Sequence, residues 1–199
     1  MDAKGIEDED QDEEMMRVLA AGKDSALSCL IEKYQLPLFS FLVRFLQNET
    51  DAADLAQECF VRIYQNRHRF DPQQRFTTWM FQIAANLAKD RARWRSRHPE
   101  ANTNAEEDSL SERPSPAAAP DADLLHKEMS EAVRHAVGKL PEDLRLPLIF
   151  SQFENRPHAE IAEIVGCTAK AVETRIYRAK QLLRRDLEGF FKNVSGIRD

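Results

Sequence analysis

Apolar residues recur at helical spacing on both sides of a proline-containing stretch that has no apolar periodicity. Leu27, Leu30, Ile31 and Tyr34 fall at i, i+3, i+4 and i+7, the pattern that lines one face of an α-helix. Leu38, Phe41, Leu42 and Phe45 repeat it. Leu55, Cys59, Phe60 and Ile63 form a third stripe, and Phe76, Met80, Ile83 and Leu87 a fourth, on a helix predicted over 76–97. Asp24 is placed to cap the first helix and Thr50 or Asp51 the third, and Pro37 is expected to break or restart the chain between the first two. Beyond the stretch, Leu125, Met129, Ala132, Val133 and Ala136 make another helical face. Leu140-Pro141 ends it, and Pro147 is expected to kink the helix that follows or to cost it a hydrogen bond.

No strand alternation competes, so the fold class is all-α. Two helical domains are expected: an N-terminal helical bundle over 15–97 and a C-terminal helix-turn-helix domain over 123–192. The segment 98–122 carries four of the nine prolines and little apolar surface, which makes it a flexible acidic linker. Residues 1–14 hold eight acids against Lys4 and are expected to be a disordered acidic tail.

The net charge of −6 argues against a free DNA binder if the sum is all that counts, but its distribution is uneven. Lys89, Arg91, Arg93, Arg95 and Arg97 face only Asp90 in their segment. Lys170, Arg175, Arg178, Lys180, Arg184 and Arg185 face only Glu173 in theirs. The chain therefore has two separate basic patches. No apolar run approaches the ~20 residues of a membrane span, and the acidic start lacks the pattern of a secretory signal. A cytoplasmic protein without membrane insertion is expected. Cys29, Cys59 and Cys167 are far apart and each lies in an apolar pattern, so they are expected to be small buried side chains. No CxxC or HxxxH pair offers metal ligands. No Gly-rich phosphate loop or nucleophile elbow appears, so no enzyme, cofactor or metal is expected.

The most informative segment is 157–185. Ile161, Ala162, Ile164 and Val165 suit a short helix that Gly166 can end in a left-handed turn. Thr168 can cap the next helix, which buries Val172, Ile176, Ala179 and Leu183. Its opposite face presents Lys170, Thr174, Tyr177 and Arg178, with Ala171 and Glu173 beside them. This is a helix-turn-helix pattern, whose second helix fits the major groove; a plain helical hairpin with a solvated face is the alternative. In the helix 76–97, Trp79, Asn86 and Arg93 recur every seven residues on one flank with Lys89 outside. Such a surface suits unstacked bases, although Trp79 fits the core equally well and the arginines fit a solvated end. Asp51, Asp54 and Glu58, with Gln57, form an acidic stripe that suits a basic protein partner or simple solvation.

At these residues a family resemblance emerges. The run 51–64 resembles the core-polymerase-binding region of bacterial sigma factors, 76–93 looks like their promoter-melting region, and 140–145 with the helix-turn-helix looks like their last domain. The short, two-domain length points to the extracytoplasmic-function (ECF) class. The resemblance implies a monomeric factor that binds core RNA polymerase, with Asp51, Asp54, Gln57 and Glu58 on the β′ clamp helices and the last domain touching the β flap. It implies that Arg75 within loop 71–77, with Trp79, Asn86, Lys89 and Arg93, engages the minus-ten element of promoter DNA, where a base is flipped into a loop pocket. It implies that Lys170, Ala171, Glu173, Thr174, Arg175, Tyr177 and Arg178 read the minus-thirty-five element. The linker is then expected to thread toward the polymerase active centre, and an anti-sigma factor is an expected partner.

Two departures stand out. Glu173 lies where relatives often carry a basic residue and is able to accept from a cytosine amino group. Pro157-His158 replaces the usual Ser/Thr-aromatic entry to the helix-turn-helix. The other reading is a free-standing helix-turn-helix regulator with a sensor or dimerisation domain, which leaves the acidic stripe and the basic flank unexplained.

Overall fold

The computed structural model describes residues 3–98 and 120–195 and contains eight α-helices with no strand among them. These are α1 (Ala3–Ala20), α2 (Ser25–Leu46), α3 (Glu49–Gln65), α4 (Phe76–Arg97), α5 (Pro120–Lys139), α6 (Glu142–Gln152), α7 (His158–Val165) and α8 (Ala169–Ser195). A single 3-10 turn, Arg67–Arg69, leads from α3 into the loop before α4. The all-α expectation holds. The linker expected over 98–122 lies, from 99 to 119, outside the described residues, as does the side chain of Leu125.

Helix α2 is the axis of the first unit. Leu30, Leu38, Phe41, Leu42 and Phe45 are fully buried. By length and composition this helix is apolar enough to cross a bilayer, but its apolar stripe is taken up by the core. Pro37 does not break it: α2 runs through the proline, which sits on the exposed face. The lost N–H bond costs a few kcal/mol, and the stripe buried on either side of Pro37 offsets it. Helix α2 ends at Gln47 in the left-handed region (φ 57). Asn48, rather than Thr50 or Asp51, then caps α3, its side chain accepting from Asp51 N at 2.7 Å. Asp24 occupies the cap position of α2 but its side chain makes no cap bond. The turn at Gly22 (φ 91) lets the carbonyls of Lys23 and Asp24 take the first amides instead.

The acidic tail is shorter than expected. The chain is helical from Ala3, and its last acids are structural. Asp12 is buried, accepts from Lys33 Nζ at 2.8 Å and from the Tyr34 hydroxyl, and so joins α1 to α2. Glu13 accepts from Phe76 N at 2.9 Å. It supplies the cap that Arg75 lacks at the start of α4, a carboxylate on a helix N-terminus where the helix dipole favours negative charge.

In the second unit, α6 likewise continues through Pro147, which is buried. Val137, Leu140, Leu146, Ile149, Ile161, Ile164, Val172, Ile176 and Ala179 form its core, and Val133 packs against it. The cysteines divide. Cys59 is buried, and burial pushes its thiol up to about 12. Cys29, expected inside, is exposed, because one helical step of ~100° from buried Leu30 turns it outward. Cys167 is intermediate.

Candidate nucleic-acid interface

The helix-turn-helix has the geometry its residues require. Helix α7 closes on Gly166 at φ 76, and Ala162 O accepts from Gly166 N (2.9 Å) and Cys167 N (3.0 Å). Paired bonds of this kind satisfy carbonyls left over at a helix end. Thr168 Oγ1 accepts from Ala171 N at 3.1 Å and starts α8. The entry is different: Pro157 stands at the cap of α7 with no side-chain bond.

Val172, Ile176 and Ala179 turn inward, so the first turns of α8 present the other face. Lys170, Glu173, Thr174, Tyr177 and Arg178 are exposed there, with Ala171 and Arg175 half-buried. Tyr177 is 63% exposed, and its hydroxyl accepts from Gln181 Nε2 at 2.6 Å. Thr174 donates back to Lys170 O. Lys170 Nζ lies 2.8 Å from Glu173 and holds that carboxyl below the usual range. The pair is exposed, and a base edge has to compete with Lys170 for the Glu173 oxygens.

On α4, Trp79, Asn86 and Arg93 share a flank as their seven-residue spacing dictates. Asn86 and Arg93 are exposed, and Arg93 pairs with Asp90 at 3.5 Å. Trp79 does both of the things its pattern allows: it is half-buried against Phe70 (ring centroids 5.3 Å apart) and remains partly accessible. Arg75 is exposed in a loop tightened by Asp71, whose carboxylate accepts from Gln73 N at 3.0 Å. Lys89 is set apart. It is half-buried and turned toward the second unit, and burial, Arg93 and Arg175 all lower its pKa.

The acidic stripe on α3 also divides. Asp54 and Gln57 are exposed, and Glu58 accepts from Arg62 Nε at 2.8 Å. Asp51 is held inside the chain between Arg91 (2.5 Å) and Arg95 (3.2 Å). Two residues escape the sequence reading. Val61, 47% exposed, lies beside the Asp54 column of α3, on the side away from Glu58. Its signal is an apolar residue on the outward face, seven after Asp54. Trp94 is exposed and stacked on His98, with ring centroids 4.8 Å apart.

The family model of sigma-70 region 2 matches residues 30–98, and that of sigma-70 region 4 matches residues 130–183. The RNA polymerase sigma-H factor of Pseudomonas aeruginosa is 30% identical over 190 residues, which cover 94% of this chain and 98% of that relative. The chain belongs to the ECF class of RNA polymerase sigma factors. The ECF sigma factor SigW of Bacillus subtilis is 29% identical, covering 83% of this chain and 91% of its own. Among solved structures, CnrH in complex with the cytosolic domain of CnrY has the same fold at TM-score 0.66 and 24% identity, covering 89% of this chain and 97% of that one. The sigma factor RpoE of Bartonella quintana, in complex with the anti-sigma factor NepR, follows at TM-score 0.64 and 19% identity, covering 81% and 96%. In this sigma factor the region 2 match takes in the α3 stripe and the α4 flank, and the region 4 match takes in the helix-turn-helix. The acidic helix α1, with Asp12 and Glu13, precedes both matches.

Proposed function

We propose that this sigma factor binds core RNA polymerase through the outward face of α3 and carries it to promoters read by two separate helices. Asp54, Gln57 and Glu58, with Val61 among them, form the core-binding face; Asp51 supports it from within. Arg75, Trp79, Asn86, Lys89 and Arg93 engage the minus-ten element, and the first turns of α8 from Lys170 to Arg178 read the minus-thirty-five element. The observation that carries this reading is the front of α8: cap, turn and buried stripe together leave Lys170, Thr174, Tyr177 and Arg178 facing solvent at the N-terminal end that enters a major groove.

The factor performs no bond chemistry of its own; it positions polymerase, in the cytoplasm where the polymerase works. Its net negative charge suits this role, since weak affinity for DNA in the free state leaves recognition to the assembled holoenzyme. CnrH and RpoE are seen with CnrY and NepR, which supports an anti-sigma partner here.

Run-off transcription on a library of genomic fragments, with purified core polymerase and with or without this chain, tests the reading. Discrete start sites that need both components are expected, and their aligned upstream sequences give both elements. Tight fragment binding by the chain alone, with no new transcripts, would replace it with a free-standing regulator.

A further inference from the structure

Two consecutive acids of α1 hold the start of α4. Helix α1 is fixed to the first unit by Met16 and Leu19, both fully buried. Asp12 accepts from the Tyr34 hydroxyl of α2, and the Tyr34 ring lies against that of Phe76, with centroids 5.4 Å apart. Phe76 meets Phe70 edge-on at 6.3 Å, and Phe70 meets Trp79 at 5.3 Å. The two phenylalanines are buried and bracket the loop 71–75. Glu13, half-buried, acts on the backbone at the same place: its carboxylate accepts from Phe76 N at 2.9 Å.

That amide is one half of the peptide plane between Arg75 and Phe76. The other half, Arg75 O, accepts from Trp79 N at 3.2 Å. A peptide unit is planar, so a bond at each end holds its orientation and with it the extended ψ of 131 at Arg75. Arg75 itself makes no side-chain cap bond, so no cap from that residue replaces Glu13. Arg75 and Trp79, the two ends of this arrangement, are both in the minus-ten set.

We propose that Glu13 is a positioning residue for minus-ten recognition, acting through the Phe76 amide to hold Arg75 in the orientation that meets DNA. The proposal rests on the minus-ten reading given above. Glu13 precedes the region 2 match, which begins at residue 30, so the recognition loop is set by a helix outside it. A loop ordered in advance binds without the cost of ordering it on the DNA. Without the carboxylate, Phe76 N turns to water and the 75–76 plane is free to rotate. Charge alone predicts the opposite sign: removing an acid beside a DNA-binding loop should strengthen binding to phosphates.

The test uses the full chain with core polymerase and a fork-junction DNA carrying the minus-ten element of a promoter recovered by run-off transcription. Glu13→Ala should lower holoenzyme affinity for the fork about tenfold, as for loss of one charge-assisted hydrogen bond. Affinity for core polymerase and the far-ultraviolet helix signal should not change. Glu13→Gln keeps an acceptor oxygen at the same reach and should stay within about threefold of wild type. In an Arg75→Ala background, Glu13→Ala should cost no more than about threefold further, because two residues that act through one contact are not additive. In the free chain, hydrogen exchange at the Phe76 amide should be slow in the wild type and faster in Glu13→Ala.

Equal or tighter fork binding by Glu13→Ala overturns positioning and leaves the minus-ten reading intact. A full tenfold loss added to that of Arg75→Ala overturns the route through Arg75, and loss of core affinity or helix signal makes the role one of general stability. Arg75→Ala without effect on the fork overturns the assignment of Arg75, and positioning with it. Fast exchange at Phe76 in the wild type overturns the capping bond, whatever the DNA shows. A wild type that yields no start sites with core polymerase overturns the proposed function and the positioning role together.

Discussion

The guanidinium of Arg91 lies 2.5 Å from the carboxylate of Asp51 and ties the start of α3 to the C-terminal half of α4. Arg95 reaches the same carboxylate at 3.2 Å. One acid thus joins the helix proposed to hold polymerase to the helix proposed to hold DNA. It also removes two of the five basic residues of the segment 89–97 from the solvent-facing flank. Asp51→Ala should therefore act on the fold, costing about 2 kcal/mol for loss of a partly buried charged hydrogen bond. Thermal unfolding followed by circular dichroism checks this, and an unchanged melting temperature would count against it.

Glu58→Lys separates the two roles of the stripe. Glu58 is paired only along its own helix, with Arg62 at i+4, and both side chains are 44% exposed. Such pairs contribute about 0.5 kcal/mol at most, so stability should barely change. Affinity for core polymerase should fall at least tenfold, since a reversed charge meets a basic partner. Titration of labelled factor against core measures it; wild-type affinity would remove Glu58 from the interface.

Arg178 is exposed on the front of α8, two helical turns beyond Lys170. Arg178→Ala should weaken promoter binding by the holoenzyme by ~1–3 kcal/mol if the side chain meets a base edge, and relax the preference at one base pair. If it meets a phosphate, binding should weaken evenly across sequences and the salt dependence should flatten. Unchanged binding and transcription would sink the assignment of this face to DNA.

Much of this is legible from spacing. Periodicity predicts the fourth helix over 76–97, and it occupies Phe76–Arg97; the Gly166 turn and the Thr168 cap are visible because both are local chemistry. What fails depends on partners far away in sequence. Nothing near Asp51 announces Arg91 or Arg95, so it reads as one more exposed acid. Asp12 and Glu13 look like the end of a solvated tail, because their partners Tyr34 and Phe76 come 22 and 63 residues later. Pro37 reads as a break because its local cost is visible and the burial on either side is not. The contact of Phe150 in α6 with Phe41 in α2 (ring centroids 4.7 Å) and Phe81 in α4 (5.3 Å) is hidden for the same reason: each ring fits the core of a single unit, and no periodicity shows that they meet.

Glu154, 3.5 Å from Arg44 of α2, makes stability depend on pH. Burial raises its carboxyl above the ordinary glutamate value, against the opposing pull of Arg44 and Arg156. A folded chain that holds this proton more tightly than the unfolded chain is favoured at low pH. The advantage is complete below the unfolded value of ~4.3, fades as pH rises through the raised folded value, and is absent at neutrality, where the buried charge is a net cost. Glu154→Gln removes this dependence while keeping the shape of the side chain. The variant should gain stability relative to wild type on going from pH 4 to pH 7. Urea unfolding of both proteins at the two pH values gives the comparison as a double difference, in which all other titrating groups cancel. A variant that instead loses ground toward pH 7 would mean that attraction to Arg44 and Arg156 outweighs burial at this site.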